Sequence, residues 1–322
     1  QQLSIAKKGI DFSVQMLRVQ KNTDVPKKWF FNQLFFGGKE SNYILIPLHS
    51  YHFSSDSIVG YAYGGTDQVK GEPFSYHLLD VIAAMDVTTI SRKGDRVDGK
   101  TIYGSEISGS ITLLQQEIED KAVIQKRFLL GTDKFGRDML SRLMAGTIVS
   151  LSVGLISVFI SLVLGIGLGA VAGYFGGWID DVITWVINVV WSIPTLLLVI
   201  AITFALGKGF VQVFVAVGLT MWVEVARVVR GQVLSLKNME YIEASKALGY
   251  GTFRIISKHI IPNIMGPVIV ISAANFASAI LLEAGLSFLG FVAQIPMASW
   301  GQMIKDHYAY ITTDLAYLAI LP

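Results

Sequence analysis

Glu224 and Glu283 are the only acids in those stretches of this 322-residue chain that are long and apolar enough to cross a membrane. A carboxylate at such a depth is costly and is by default a functional candidate. It could carry an ion or a proton, or it could hold a neighbouring side chain. Arg227 follows Glu224 by three residues, which favours a structural pairing there. For Glu283 a structural role and an intramembrane role both stay open. Other chemistry is scarce. Cysteine is absent, which excludes disulfides, thiolate catalysis and Cys-type zinc sites. His49, His52 and His77 lack metal-ligand spacing, and only His259 and His307 lie beyond residue 130. No His-Glu-x2-His or Gly-x-Ser-x-Gly string occurs, so nothing marks an intramembrane enzyme. There is no Gly-x4-Gly-Lys-Ser/Thr loop, so no cofactor or nucleotide is expected to bind here. The run Gly165-Ile166-Gly167-Leu168-Gly169-Ala170 fits a loose dinucleotide fingerprint, but no strand precedes it and it lies inside an apolar stretch. Gly165, Gly169 and Gly173 recur every four residues on one helix face, a spacing that lets helices approach closely in lipid.

The elements that carry these residues follow from the distribution of charge. Charged residues make up 16% of the chain, against about a quarter in a soluble domain. Residues 1–130 hold 15 basic and 14 acidic side chains, whereas the longer remainder holds 11 and 10. A polar domain thus precedes a membrane domain, divided near residue 130. The near-zero net charge argues against nucleic acid as a partner. Residues 143–179 carry no charge, and a membrane-crossing helix needs about 20 residues. Further spans are expected at 182–207, kinked near Pro194, at about 210–228, and from Asn263 to about Phe291. Tyr174 to Asp181 and Gly207-Lys208-Gly209 read as turns. In the polar part, Tyr43 to Leu48 and Ile58 to Tyr63 read as strands. Phe74 to Met85 and Ile111 to Phe128 read as helices, giving a small α+β domain.

Between the last two spans lies a basic island. Residues 227–262 carry six Lys or Arg against two Glu, and such loops stay cytoplasmic. Tyr241, Ala244 and Leu248 recur at helical spacing, and Phe253, Ile256 and Ile260 form a second stripe. Gly249 suits the left-handed residue that ends a helix, Thr252 suits the N-cap of a second, and Pro262 closes the unit.

The string Glu243-Ala244-Ser245-x3-Gly249, followed after nine residues by His259-x-Ile261-Pro262, resembles the EAA loop of ABC importer permeases. Ser245 stands where that family usually has a second alanine, and His259 where it usually has a branched residue. Leu130 to Arg142 closely resembles the LGTD-x-x-GRD-x-x-SR signature of dipeptide, oligopeptide and nickel permeases. Glu283 to Gly290 is similar to the E-A-x-LSFLG string of the same family, and Pro296 and Ser299-Trp300-Gly301 follow as they do there. Thr147-Ile148 lacks an expected arginine, and Asn188 stands where an aspartate is common. The resemblance covers residues 130–322. It implies the type I importer permease fold, an all-α polytopic membrane protein, here with an extracytoplasmic α+β N-terminal region. It also implies that the loop docks into a groove of a separate ATPase subunit. The docking surface would comprise Tyr241, Glu243, Ala244, Ala247, Leu248, Gly249, Phe253, Ile256 and Pro262.

With 227–262 in the cytoplasm, three spans counted backwards place residues 1–146 outside. That implies a helix ahead of Gln1, and the apolar run ending at Pro322 reads as cut short, so a fragment is expected. By resemblance the protein is a permease subunit in the inner membrane, with a similar second permease, two ATP-binding subunits and an extracytoplasmic substrate-binding protein as partners. The cargo would be short peptides, with nickel chelates as the alternative. The other class, an ion-coupled secondary transporter using Glu224 and Glu283, would transport alone under a gradient, whereas an ABC permease would not.

Overall fold

The computed structural model describes residues 3–23, 41–207, 209–291 and 298–322. Lys208 of the expected turn, the segment through Pro296 and the first two residues lie outside the described residues. The chain folds into two compact units, Gln1–Ala145 with Asp306–Pro322, and Gly146–Lys305.

The first unit is built on an antiparallel sheet in the order β4-β3-β2-β1-β8. Its strands are β1 (Phe12–Gln20), β2 (Tyr43–Ser54), β3 (Ser57–Tyr63), β4 (Lys70–His77) and β8 (Val123–Phe128). A smaller sheet joins β5 (Ser91–Lys93), β6 (Arg96–Lys100) and β7 (Glu106–Ser110). Successive strand residues point to opposite faces, so β1 supplies both sides of the large sheet. Val14 and Met16 pack with Ile5, Tyr63 and Phe128, while Leu17 and Val19 pack under helices α1 (Leu78–Ile82) and α2 (Ile111–Glu117). The two strands expected from sequence are β3 and the first half of β2. The two expected helices are shorter than their apolar patterns. Phe74 to His77 belong to β4, paired with β3, and the helix begins only at Leu78. After α2 a π turn over Ile118–Ala122 leads into β8, whose Val123 pairs with Leu17 and whose Phe128 pairs with Phe12. That pairing joins segments over 100 residues apart, so local periodicity does not report it.

The second unit is helical. Helix α3 (Met139–Phe175) starts in the first unit and runs on for 37 residues. Then come α4 (Gly177–Trp191), α5 (Thr195–Leu206), α6 (Phe210–Leu236), α7 (Glu240–Ala247), α8 (Thr252–Ile255), α9 (Ile261–Leu289) and α10 (Trp300–His307). Three described helices are long and apolar enough to cross a membrane: Met139–Phe175, Val211–Leu236 and Thr252–Leu289. The last of these is α8 and α9 joined through a π turn at Ile256–Ile260. The expected span 182–207 departs from this pattern. It divides into α4 and α5, which meet at 95° across Ser192–Pro194. Proline lacks the N–H that would continue α4, and it starts α5 instead. Residues Trp178 to Asp181, expected in a turn, already belong to α4. The third span outruns its expected end at 228, because Val229 and Val233 continue its buried stripe.

Candidate functional site

The basic island folds as two short helices around one glycine. In α7, Ile242 and Ser245 face inward, and the Ser245 hydroxyl donates to the Tyr241 carbonyl at 2.7 Å. Gly249 has φ of 78°, in the left-handed region, and the Tyr250 N–H donates back to the Ser245 carbonyl at 3.1 Å. These are the bonds that close a helix at a left-handed residue. Ile255 and Ile260 lock α8 and the π turn onto α6 and α9. The outward side carries Tyr241, Glu243, Ala244, Ala247, Leu248 and Phe253, all exposed. Leu248 is 72% exposed and Phe253 85%, which leaves two large apolar side chains standing clear on either side of the turn. Three details differ from expectation. Gly251 rather than Thr252 is the N-cap of α8. Pro262 does not end a helix but sits in the first turn of α9, directly after the π turn. Ile256 is half-buried against the same core as Ile255, so it contributes less to the outer face than its spacing suggests.

The glycine stripe of α3 lies against α6. A Cβ placed on Gly165 would come 2.5 Å from Val225 Cβ, one on Gly169 2.5 Å from the Ala226 carbonyl oxygen, and one on Gly173 2.8 Å from Val233 Cβ. No side chain fits in that seam. Gly167, two residues from Gly169, faces open space.

Glu283 is fully buried. Its carboxylate accepts from Ser287 Oγ at 2.6 Å, one turn on, and from Ser150 Oγ of α3 at 3.1 Å. Ser150 Oγ accepts the Trp300 N–H at 3.3 Å, and Ser299 Oγ donates to Ser287 Oγ at 3.3 Å. The carboxylate therefore ties α3, α9 and the start of α10 together through hydroxyls. Gly301 packs on Ala284 at the same level, where a Cβ would fall 2.5 Å from Ala284 Cα.

Glu224 does not make the pair its spacing suggested. Arg227 donates to Asn188 Oδ1 of α4 at 3.2 Å, and its guanidinium lies 3.7 Å from the Trp191 ring centre. Arg230, a turn further on, forms a bidentate pair with Asp180 of α4, with its Nη2 2.6 Å from Asp180 Oδ2. Both arginines are thus engaged by α4, a packing that spacing within α6 could not reveal. The Glu224 carboxylate has no hydrogen-bond or ion-pair partner among the described residues and lines a cavity of about 470 Å³ formed by α4, α5, α6 and α9.

In the first unit, the Gly131–Arg142 segment makes a closed polar knot. Asp133 is fully buried, and its Oδ1 accepts the N–H groups of Phe135 and Arg137, each at 2.8 Å. Its Oδ2 lies 2.6 Å from Arg137 Nε and 3.4 Å from Arg142 Nε. The Asp133–Arg137 pair matches the spacing of four read from sequence. Thr132 Oγ1 accepts the Lys8 N–H at 2.9 Å, and Lys134 Nζ reaches Asp306 Oδ1 at 3.1 Å. The segment thereby bonds to the stretch ahead of β1 and to Asp306. Nearby, Arg127 holds the exposed Asp11 carboxyl below the usual carboxylate range by hydrogen bonding.

Among known proteins, residues 165–321 match the family described as binding-protein-dependent transport system inner membrane component. The chain is 46% identical over 176 residues to the dipeptide transport system permease protein DppC of Bacillus subtilis, covering 55% of each chain. It is 40% identical over 182 residues to the oligopeptide transport system permease protein OppC of the same organism, covering 56% of this chain and 60% of that one. It is 38% identical over 177 residues to the glutathione transport system permease protein GsiD of Pectobacterium atrosepticum, covering 55% and 59%. The chain thus spans little more than half the length of these relatives. A solved structure of the inward-facing MetNI methionine ABC transporter aligns with a TM-score of 0.47 at 20% identity, over 57% of this chain and 88% of that one. Residues 165–321, which hold the glycine stripe, the exposed turn at Gly249 and the buried Glu283, are thus the part of the chain similar to binding-protein-dependent transport system inner membrane components.

Proposed function

We propose that this chain is a membrane-spanning permease subunit of an ATP-driven importer for short peptides. The observation that carries the reading is the pair of bare apolar side chains, Leu248 and Phe253, flanking the left-handed Gly249. Side chains so exposed on a rigid two-helix platform suit a partner groove, and here the partner is an ATPase subunit. The names of the similar permeases, which mention dipeptides, oligopeptides and glutathione, support peptide cargo. The assembly would pair this chain with a second, related permease, two ATP-binding subunits and an extracytoplasmic binding protein. ATP binding would close the ATPase pair, move the two docking turns and switch the pathway between inward- and outward-facing states by differential binding. In this reading the chain itself binds no ATP, and residues 131–322 form a type I permease domain of the inner membrane.

Gly249→Pro tests the docking role. Proline fixes φ near −65°, which the left-handed turn cannot accept, and it deletes the N–H donated to the Lys246 carbonyl. Membrane insertion is expected to persist, while ATPase co-purification and peptide uptake fall at least about tenfold, the effect of losing roughly 1.4 kcal/mol of docking energy. Wild-type uptake with full ATPase binding in this variant would sink the assignment.

Residues 1–130 are proposed to be an extracytoplasmic domain, which requires α4 and α5 to make one crossing despite their 95° bend. If they formed a re-entrant loop instead, the parity of the chain would reverse. Ser54 and Ser235 are both exposed, and the chain has no cysteine. A membrane-impermeant thiol reagent is expected to label Ser54→Cys and spare Ser235→Cys in cells whose outer envelope is permeable. The opposite pattern would refute both the topology and the docking role.

A further inference from the structure

We infer that Glu224 is the counter-charge for the terminal ammonium group of a peptide cargo, bound in the cavity between α4, α5, α6 and α9. The inference rests on the peptide-permease reading above and names a contact that the reading does not contain. Its first support is the walls of the cavity. Trp191, Leu196 and Leu281 make them largely apolar, Thr195, Thr220 and Ser278 add hydroxyls, and Glu224 is the single ionisable side chain among the lining residues. A pocket of mostly apolar wall with a few polar groups is the usual form of a small-molecule site, and about 470 Å³ accommodates a ligand the size of a di- or tripeptide.

The second support is the isolation of the charge. Arg227, the cation nearest in sequence, is held by Asn188 and Trp191, and Arg230 is held by Asp180. No described residue hydrogen-bonds or ion-pairs with the Glu224 carboxylate, while α4 engages both neighbouring cations of α6, Arg227 through the neutral Asn188 amide and the Trp191 ring and Arg230 through the Asp180 carboxylate. An unpaired carboxylate at membrane depth is costly unless a ligand or water meets it. Here Glu224 is exposed at the wall of the cavity, where water or a ligand reaches it. The ligand that complements one carboxylate, apolar walls and three hydroxyls is a small organic cation with amide groups. A peptide that retains its terminal ammonium has this chemistry. The broken helix contributes as well: Trp191, Ile193 and Thr195, on and around its 95° bend, all line the cavity.

The test uses the assembled transporter in nanodiscs, without ATP or binding protein. Equilibrium binding is measured for trialanine and for its desamino analogue, in which hydrogen replaces the ammonium. The wild type is expected to bind trialanine about tenfold or more tightly than the analogue. Glu224→Gln is expected to erase that preference while leaving affinity for the analogue unchanged, and Glu224→Asp to restore part of it. A Glu224→Gln complex that keeps the preference would overturn the inference and leave the peptide reading standing. So would a wild type that binds both peptides equally. Loss of the partner subunits from the Glu224→Gln and Glu224→Asp complexes would assign the residue to assembly and overturn it too. A wild type that binds neither peptide would remove the peptide reading itself, and this contact with it.

Discussion

Gly169→Leu is expected to strip the folded protein from detergent extracts, whereas Gly167→Leu leaves it in place. The two substitutions add the same side chain to the same helix two residues apart, so propensity and hydrophobicity change equally. Only the surroundings differ. At Gly169 even a Cβ would lie 2.5 Å from the Ala226 carbonyl oxygen and 2.9 Å from Val229 Cβ. Both neighbours are on α6 and neither can swing aside, since one is backbone and the other is β-branched and buried. The helices must separate along a seam that continues at Gly165 and Gly173. Overpacking of this kind costs about 3 kcal/mol or more, a fall in Tm of roughly 10 °C for a unit of this size. In lipid no hydrophobic force draws the helices back together, so the loss of close contact is not recovered elsewhere. Thermal unfolding of both variants in one detergent gives the comparison. Equal Tm values would mean that α3 and α6 do not pack through this stripe.

The second large effect is expected at Asp133, in the first unit. Its carboxylate is fully buried and serves two backbone N–H groups and two guanidinium groups. Asp133→Ala would leave the side chain of Arg142, only 10% exposed, without its carboxylate, and would strip Phe135 and Arg137 of their acceptor. Removing one partner of a buried ion pair costs about 3–5 kcal/mol. Asp133→Asn keeps one acceptor oxygen for the backbone but turns an amide toward the guanidinium groups, so it is expected to lie between alanine and wild type. Limited proteolysis of the first unit in the three proteins measures the order. If Asp133→Ala resists protease as well as the wild type does, the segment is not the clasp described here. The consequence for function is indirect: the segment that closely resembles a signature string does its visible work as structure.

What the amino-acid sequence determined by itself is whatever depends on local periodicity and on transfer from water to lipid. The apolar stretches, their lack of charge, the basic island and the left-handed requirement at Gly249 are all properties of neighbours in the chain. So is the spacing of Gly165, Gly169 and Gly173, although the helix they would meet could not be named. The pairing of Asp133 with Arg137 was legible for the same reason, since four residues make one helical turn or one tight loop. Tertiary structure decided the rest. The proposed pairing of Glu224 with Arg227 failed because Asn188 and Trp191, from another helix, hold the arginine, and this left the carboxylate facing a cavity. The hydroxyls on Glu283 come from Ser150 and Ser287, one of them 133 residues away. Val123 to Phe128 became a strand rather than the end of a helix because β1 offered it a hydrogen-bonding edge. The bend at Pro194 was visible as a kink, but its 95° was not, because a proline only removes one hydrogen bond, and the packing of α4 and α5 sets how far the chain then turns.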